Sequence, residues 1–144
     1  GIIGMIYGGK TNNSKLYTPT LVGCRNKGTI QARGGAVGGL VGLIKDWAHI
    51  VGTADNYNVN EGEVILEVTT NGFVGGVIGY IEEGDHTNCD IQVSHCANKG
   101  KITGHYRVGG IIGTSTTTNN EAIEIASLRE GTVPGTHTVT YTNC

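Results

Sequence analysis

The hexapeptide VGGLVG at residues 37–42 recurs as VGGVIG at 74–79 and VGGIIG at 108–113, and the chain opens on GIIG, the last four residues of the third copy. Measured on the second glycine of each copy, Gly1, Gly39, Gly76 and Gly110 are 38, 37 and 34 residues apart. A period of that size belongs to solenoids, propellers and other stacked arrays. A second element precedes each complete hexapeptide: CRNKGTI from Cys24, NVNEGEV from Asn58 and CANKGKI from Cys96. From its central asparagine (Asn26, Asn60, Asn98) to the following valine (Val37, Val74, Val108) the distance is 11, 14 and 10 residues, so the segment between absorbs small insertions. The chain is one module written about three and a half times.

These two markers, C/N-x-N-x-G-x-(I/V) followed by VGG, two aliphatics and glycine, resemble the GLUG repeat of bacterial surface proteins. The resemblance is carried by Cys24, Asn26, Gly28, Ile30 and 37–42 in one copy, by Asn58, Asn60, Gly62, Val64 and 74–79 in the next, and by Cys96, Asn98, Gly100, Ile102 and 108–113 in the third. It implies an extended extracellular β-solenoid and brings no catalytic residues. The expected fold is therefore all-β, a parallel β-helix of about three and a half coils of 34–38 residues with loop insertions. It is expected to form a single repeat domain over residues 1–144, a segment of a longer repetitive chain or filament.

Composition limits the alternatives. Twenty-five glycines against one tryptophan and one phenylalanine suit a core of stacked medium aliphatics better than a compact globule. A net charge of -2 and 15% charged residues supply no basic patch for nucleic acid. The longest apolar runs, such as AVGGLVGLI from Ala36, stop short of the roughly 20 residues of a membrane-spanning helix.

Strands are expected at 20–24, 28–32 and 36–44, repeated at 54–58, 62–68 and 73–81 and again at 91–96, 100–103 and 107–113, where β-branched residues and turn formers alternate. The stretch NEAIEIASLRE at 120–130 fits one or two helical turns as well as it fits a strand. Read as one continuous strand, VGGLVG puts Val37, Gly39 and Val41 on one face and Gly38, Leu40 and Gly42 on the other. The glycines, with their equivalents Gly4, Gly75, Gly79, Gly109 and Gly113, would then admit a neighbouring wall to close approach. Leu40, Val77 and Ile111 form one expected ladder and Val41, Ile78 and Ile112 another, one of the two directed into the core. Asn26, Asn60 and Asn98 mark tight corners, with asparagine and glycine tolerating left-handed backbone and the asparagine amides able to bond from coil to coil.

Cys24, Asn58, Cys96 and Cys144 occupy one equivalent position. Cys24 and Cys96 would lie two coils, about 9.6 Å, apart, too far for a disulfide. Cys96 and Cys144 are one coil apart and could bridge or simply stack as small buried residues. His86, Cys89, His95 and Cys96 invite a zinc reading, but His95 and Cys96 are adjacent in an expected strand and face opposite ways, so neither metal nor cofactor is expected.

Catalysis is not expected either. β-Helical carbohydrate enzymes need two or three convergent carboxylates, whereas Asp46, Asp55, Asp85 and Asp90 share no repeat position and Glu82–Glu83 belong to a loop. The glycine of NYNVNEGE falls one place late for an EF-hand loop. The threonines Thr138, Thr140 and Thr142 suggest an ice-binding face, but their stacked partners, Asp90, Gln92 and Ser94, then Thr18, Thr20 and Val22, do not maintain the array. The reading is a structural or adhesive module on the cell surface or outside the cell. Its expected partners are further repeats or copies of itself, with a host protein or glycan met through the variable loops 8–18, 45–53, 82–90 and 114–135. The alternative is a carbohydrate-binding or carbohydrate-processing β-helix domain.

Overall fold

The computed structural model describes residues 1–10, 16–68, 71–82, 90–116, 122–123, 131–132 and 138–142. Every regular element among them is a β-strand, and five sheets of parallel strands account for nearly all. The first sheet stacks Ile3–Tyr7, Val41–Lys45, Ile78–Glu82 and Ile112–Thr116, with Ala122–Ile123 pairing antiparallel at its far edge. The second stacks Thr20–Leu21, His49–Val51, Asp90–Ser94 and Thr138–Thr142, with Gly131–Thr132 antiparallel beside the last. The third holds Arg25–Asn26, Asn58–Asn60 and Cys96–Asn98, the fourth Ile30–Ala32, Val64–Leu66 and Ile102–Thr103, and the fifth Ala36–Gly38, Phe73–Gly75 and Val108–Gly109. A hairpin of Gly9–Lys10 with Leu16–Tyr17 follows the first strand.

Each of the five sheets takes one strand from each successive repeat. The register is the one the repeats dictate: Val41 faces Ile78, which faces Ile112, and Val37 faces Val74, which faces Val108. Such short strands, two to five residues each, could not stand alone as a pair. They persist because each pairs with its equivalent in the next repeat.

Five strands per repeat replace the three longer ones expected, because the chain bends where continuous strands were read. The hexapeptide is a corner: the fifth-sheet strand ends at Gly38 and the first-sheet strand begins at Val41. Val37 therefore lies in one apolar cluster with Val64, Leu66 and Val74. Leu40 and Val41 lie together in the other, with Ile44, Ile50, Val77, Ile78, Ile81, Ile91 and Ile112 among its members. The alternate-face assignment fails for that reason, and both ladders point inward. Leu40, Val77, Val41, Ile78 and Ile112 are buried, while Ile111 is partly buried against the same cluster. A second bend sits before the third sheet, where Gly23 and His95 take positive φ of 62° and 49° and separate strands read as continuous through Cys24 and Cys96.

The strand expected at 54–58 is displaced. Residues His49–Val51 fill the second-sheet position, pairing with Thr20–Leu21 and with Gln92–Ser94, and Thr53 and Asn56 close a turn by reciprocal backbone hydrogen bonds. Burial explains the choice, since Ile50 enters the core completely while Ala54 and Asp55 stay exposed. The insertion in the middle repeat thus follows the strand instead of preceding it. The segment read as a variable loop at 45–53 is consequently structural, with Asp46, Trp47 and Ala48 buried.

Candidate functional site

The residues of the two motifs come together as one unit. Asn26, Asn60 and Asn98 stack in register in the third sheet and form the expected ladder. The Asn26 Nδ2 donates to Asn60 Oδ1 at 2.8 Å, and the Asn60 Nδ2 donates to Asn98 Oδ1 at 2.8 Å. Each amide also donates to the carbonyl two residues on, of Gly28, Gly62 and Gly100, at 2.9, 2.8 and 2.8 Å, which closes the corner into the fourth sheet. None of the three asparagines, and none of these glycines, has positive φ. The corner is made by side-chain hydrogen bonding and not by left-handed backbone.

The hexapeptide glycines receive that ladder. A Cβ on Gly39 would overlap the Gly76 carbonyl oxygen and the Asn60 side chain, and one on Gly76 would overlap the Gly110 carbonyl oxygen and Asn98. The first glycine of the pair is closed off within its own corner: at Gly38, Gly75 and Gly109 a Cβ would overlap the carbonyl oxygen of Val41, Ile78 and Ile112 respectively. The final glycines Gly42, Gly79 and Gly113 meet backbone of adjacent strands, whereas Gly4 and Gly110 meet nothing. At Gly1 the nearest atom, the Gly38 carbonyl oxygen, stands 3.3 Å from where a Cβ would lie.

Asn58 lies opposite Cys96, and the pairing of Val59 with Arg25 sets it level with Cys24. Its side chain accepts from the Cys24 amide at 2.9 Å and donates to the Leu21 carbonyl at 3.1 Å. The Cys96 thiol repeats the second contact with the Ile50 carbonyl at 3.6 Å, so amide and thiol perform the same bond to the repeat below. Cys24 carries a free thiol, so the two cysteines are not bonded to each other. Cys144, with its suggested partner bond, lies outside the described residues, as do His86 and Cys89 of the zinc reading and Glu83 and Asp85. His95 meets Tyr57 edge-on at 5.4 Å. Of the threonine array, Thr138, Thr140 and Thr142 do stack on Asp90, Gln92 and Ser94. His49 then stands between Gln92 and Thr20.

Charge is segregated by repeat, a pattern legible in the sequence that motif reading passes over. Residues 1–45 hold six cations, Lys10, Lys15, Arg25, Lys27, Arg33 and Lys45, and no carboxylate side chain. Residues 46–90 hold nine carboxylates and neither lysine nor arginine, and residues 91–116 hold Lys99, Lys101 and Arg107 with no carboxylate. Stacking brings the blocks into contact. Arg25 pairs with Glu61 at 2.7 Å, Arg33 with Glu67 at 3.2 Å, Lys45 with Glu82 at 3.0 Å and Lys101 with Glu63 at 3.4 Å, each pair joining one repeat to the next. The Gln31 amide also donates to Glu67.

At the outer corner between the fifth and first sheets Phe73 stacks on Tyr80, with centroids 4.4 Å apart. The Arg107 guanidinium lies 4.8 Å from the Phe73 ring centre and 4.9 Å from that of Tyr106. Arg107 has a φ of 48°, an uncommon conformation for a residue with a side chain. The Arg107 contact with Phe73 again ties the third repeat to the second.

No helix among the described residues is long and apolar enough to cross a membrane. Comparison with protein-family models, with curated proteins and with solved structures finds no match to this chain.

Proposed function

We propose that the chain is a β-solenoid built of GLUG-like repeats and serves as a non-catalytic structural or adhesive module, on the cell surface or outside the cell, within a rod or filament. The observation that carries the proposal is the destination of its polar side chains. The asparagine ladder, the Asn58 and Cys96 bonds and the four ion pairs all run from one repeat to the next. Nearest-neighbour contact of this kind is how repeat arrays hold together. Glu61, Glu63, Glu67 and Glu82 are each paired with a cation of an adjacent repeat, which supports a structural role for them over acid–base work. The carbohydrate-binding alternative draws less support, because Phe73 is engaged by both Tyr80 and Arg107.

Electron microscopy of the full-length material tests the reading. Unbranched rods or filaments of constant width are expected, together with release of the protein from intact cells by added protease. Compact particles, or a protein shielded from protease until the cells are lysed, would overturn it.

A further inference from the structure

Asn71–Gly72 is the one Asn-Gly dipeptide in the sequence, and it stands in the middle repeat at the corner leading into the fifth sheet. That corner takes a left-handed residue in each complete repeat: Gly35 has a φ of 79°, Asn71 of 53° and Arg107 of 48°. Asparagine is among the few residues with a side chain that adopt this conformation readily. Gly72 is buried, and a Cβ there would overlap the Leu66 and Val68 side chains. Leu66 is itself fully buried against Val64 and Val74 and has little room to yield. The fold thus asks for left-handed backbone at 71 and no side chain at 72, and Asn-Gly answers both demands.

The register sets this pair apart from its equivalents. Phe73 faces Ala36 and Val74 faces Val108, so the matching residues are Gly34–Gly35 in the first repeat and His105–Tyr106 in the third. Neither supplies a side-chain amide followed by an unshielded backbone nitrogen. The ladder asparagines are followed by lysine or glutamate, and their amides are held in hydrogen bonds. Asn71 is exposed, and among the described residues no hydrogen bond engages its side chain or the Gly72 N–H. The Gly72 nitrogen can therefore approach the Asn71 side-chain carbonyl without such a bond being broken.

We propose that Asn71–Gly72 is a site of spontaneous covalent self-modification. The Gly72 nitrogen, its proton taken by hydroxide, bonds to the Asn71 Cγ. The Cγ–Nδ2 bond breaks, the amide nitrogen leaves as ammonia with a proton from solvent, and a cyclic imide joins the two residues. One water molecule then opens the ring at either carbonyl. Opening at one leaves aspartate at 71, and opening at the other leaves isoaspartate, whose main chain runs through Cβ and Cγ and is one methylene longer. No electrons are exchanged; water enters and ammonia leaves. Each product adds a negative charge. The aspartate form keeps the corner, since aspartate also adopts left-handed φ. The isoaspartate form strains it, because Phe73–Gly75 is paired on both sides, with Ala36–Gly38 and with Val108–Gly109, and cannot slide to absorb the added length. The site is a property of this corner and does not depend on the module reading.

The test follows the whole chain over time, folded in mildly alkaline buffer and unfolded in urea. Peptide mapping by mass spectrometry reads the replacement of NH2 by OH at each asparagine, and an isoaspartyl methyltransferase with a labelled methyl donor reads the isoaspartate. In the folded chain Asn71 should react at least about tenfold faster than Asn26, Asn60 or Asn98, a barrier difference of about 1.4 kcal/mol. Asn71→Gly, which accepts the same backbone conformation, should abolish the methyl transfer. The isoaspartyl chain, separated by its added charge, should melt a few degrees below the original, whereas Asn71→Asp should stay within a degree or two of it. Reaction at Asn71 no faster than at the ladder asparagines, reaction only in urea, or methyl transfer persisting in Asn71→Gly would each overturn the proposal. So would an isoaspartyl chain that melts with the original.

Discussion

Gly39 and Asn60 act as a pair across a repeat junction, and each is held to its identity by the other. With a φ outside the left-handed range, Gly39 is required for space: the Asn60 side chain and the Gly76 carbonyl occupy the place of its missing Cβ. Gly39→Ala should therefore cost roughly 3 kcal/mol as an overpacked junction. Gly110→Ala, where a Cβ would meet nothing within 4 Å, should stay within about 0.5 kcal/mol, and urea denaturation of the two variants compares them directly. Asn60 is fully buried, its amide oxygen accepting from Asn26 and its amide nitrogen donating to Gly62 and Asn98. Asn60→Ala leaves the Gly62 carbonyl, the Asn98 oxygen and the Asn26 amide without their partner and should cost roughly 2–3 kcal/mol, against about 1 kcal/mol for the less buried Asn26→Ala. Equal losses at the two positions would count against the ladder.

Among the elements, the second-sheet strand of the middle repeat is the one that the repeat spacing misplaces. Counting back from Asn58 by the spacing of the other copies lands on 54–58, but the strand lies at His49–Val51. Strand propensity favours the β-branched Ile50 and Val51 over the Ala-Asp-Asn-Tyr-Asn of 54–58, and Ile50 reaches the core between Leu21 and Val93. Ile50→Asp should unfold the protein, because a buried unpaired charge costs several kcal/mol, while Ala54→Asp, on an exposed turn, should leave the thermal melt within a degree or two. The opposite ranking would restore the strand at 54–58. At 120–130, where helix and strand fit equally, Ala122–Ile123 pair antiparallel with Ser115–Thr116. The rest of that stretch lies outside the described residues.

For the molecule as a whole, alternation of charge adds attraction at each junction between consecutive repeats. Each ion pair is partly exposed and contributes on the order of 0.2–1 kcal/mol, so their number and shared direction matter more than any one of them. Reversing the middle block with Glu61→Lys, Glu63→Lys and Glu67→Lys sets cation against cation at both junctions. The expected loss is roughly 2–3 kcal/mol in low salt, most of it recovered near 1 M salt, where the screening length falls to about 3 Å. Thermal melts of wild type and variant across that salt range make the measurement, and a salt-independent deficit would mean that the glutamates act by packing and not by charge.

By itself the sequence determined the repeat length, the register and the identity of the stacked positions. A period of 38, 37 and 34 residues leaves one alignment in which Asn26, Asn60 and Asn98 meet, and identical neighbours reinforce that alignment at every step. It also carried the charge blocks, which a count by segment reveals and a search for motifs does not. What the tertiary structure decided was where the chain turns. A continuous strand through VGGLVG satisfies the local pattern as well as a corner does, and only the presence of the next repeat's backbone and asparagine against Gly38 and Gly39 makes the corner the packed solution. The same holds for both aliphatic ladders entering the core. These outcomes depend on contacts between residues some 21–43 positions apart, and such contacts exist only once the repeats are stacked.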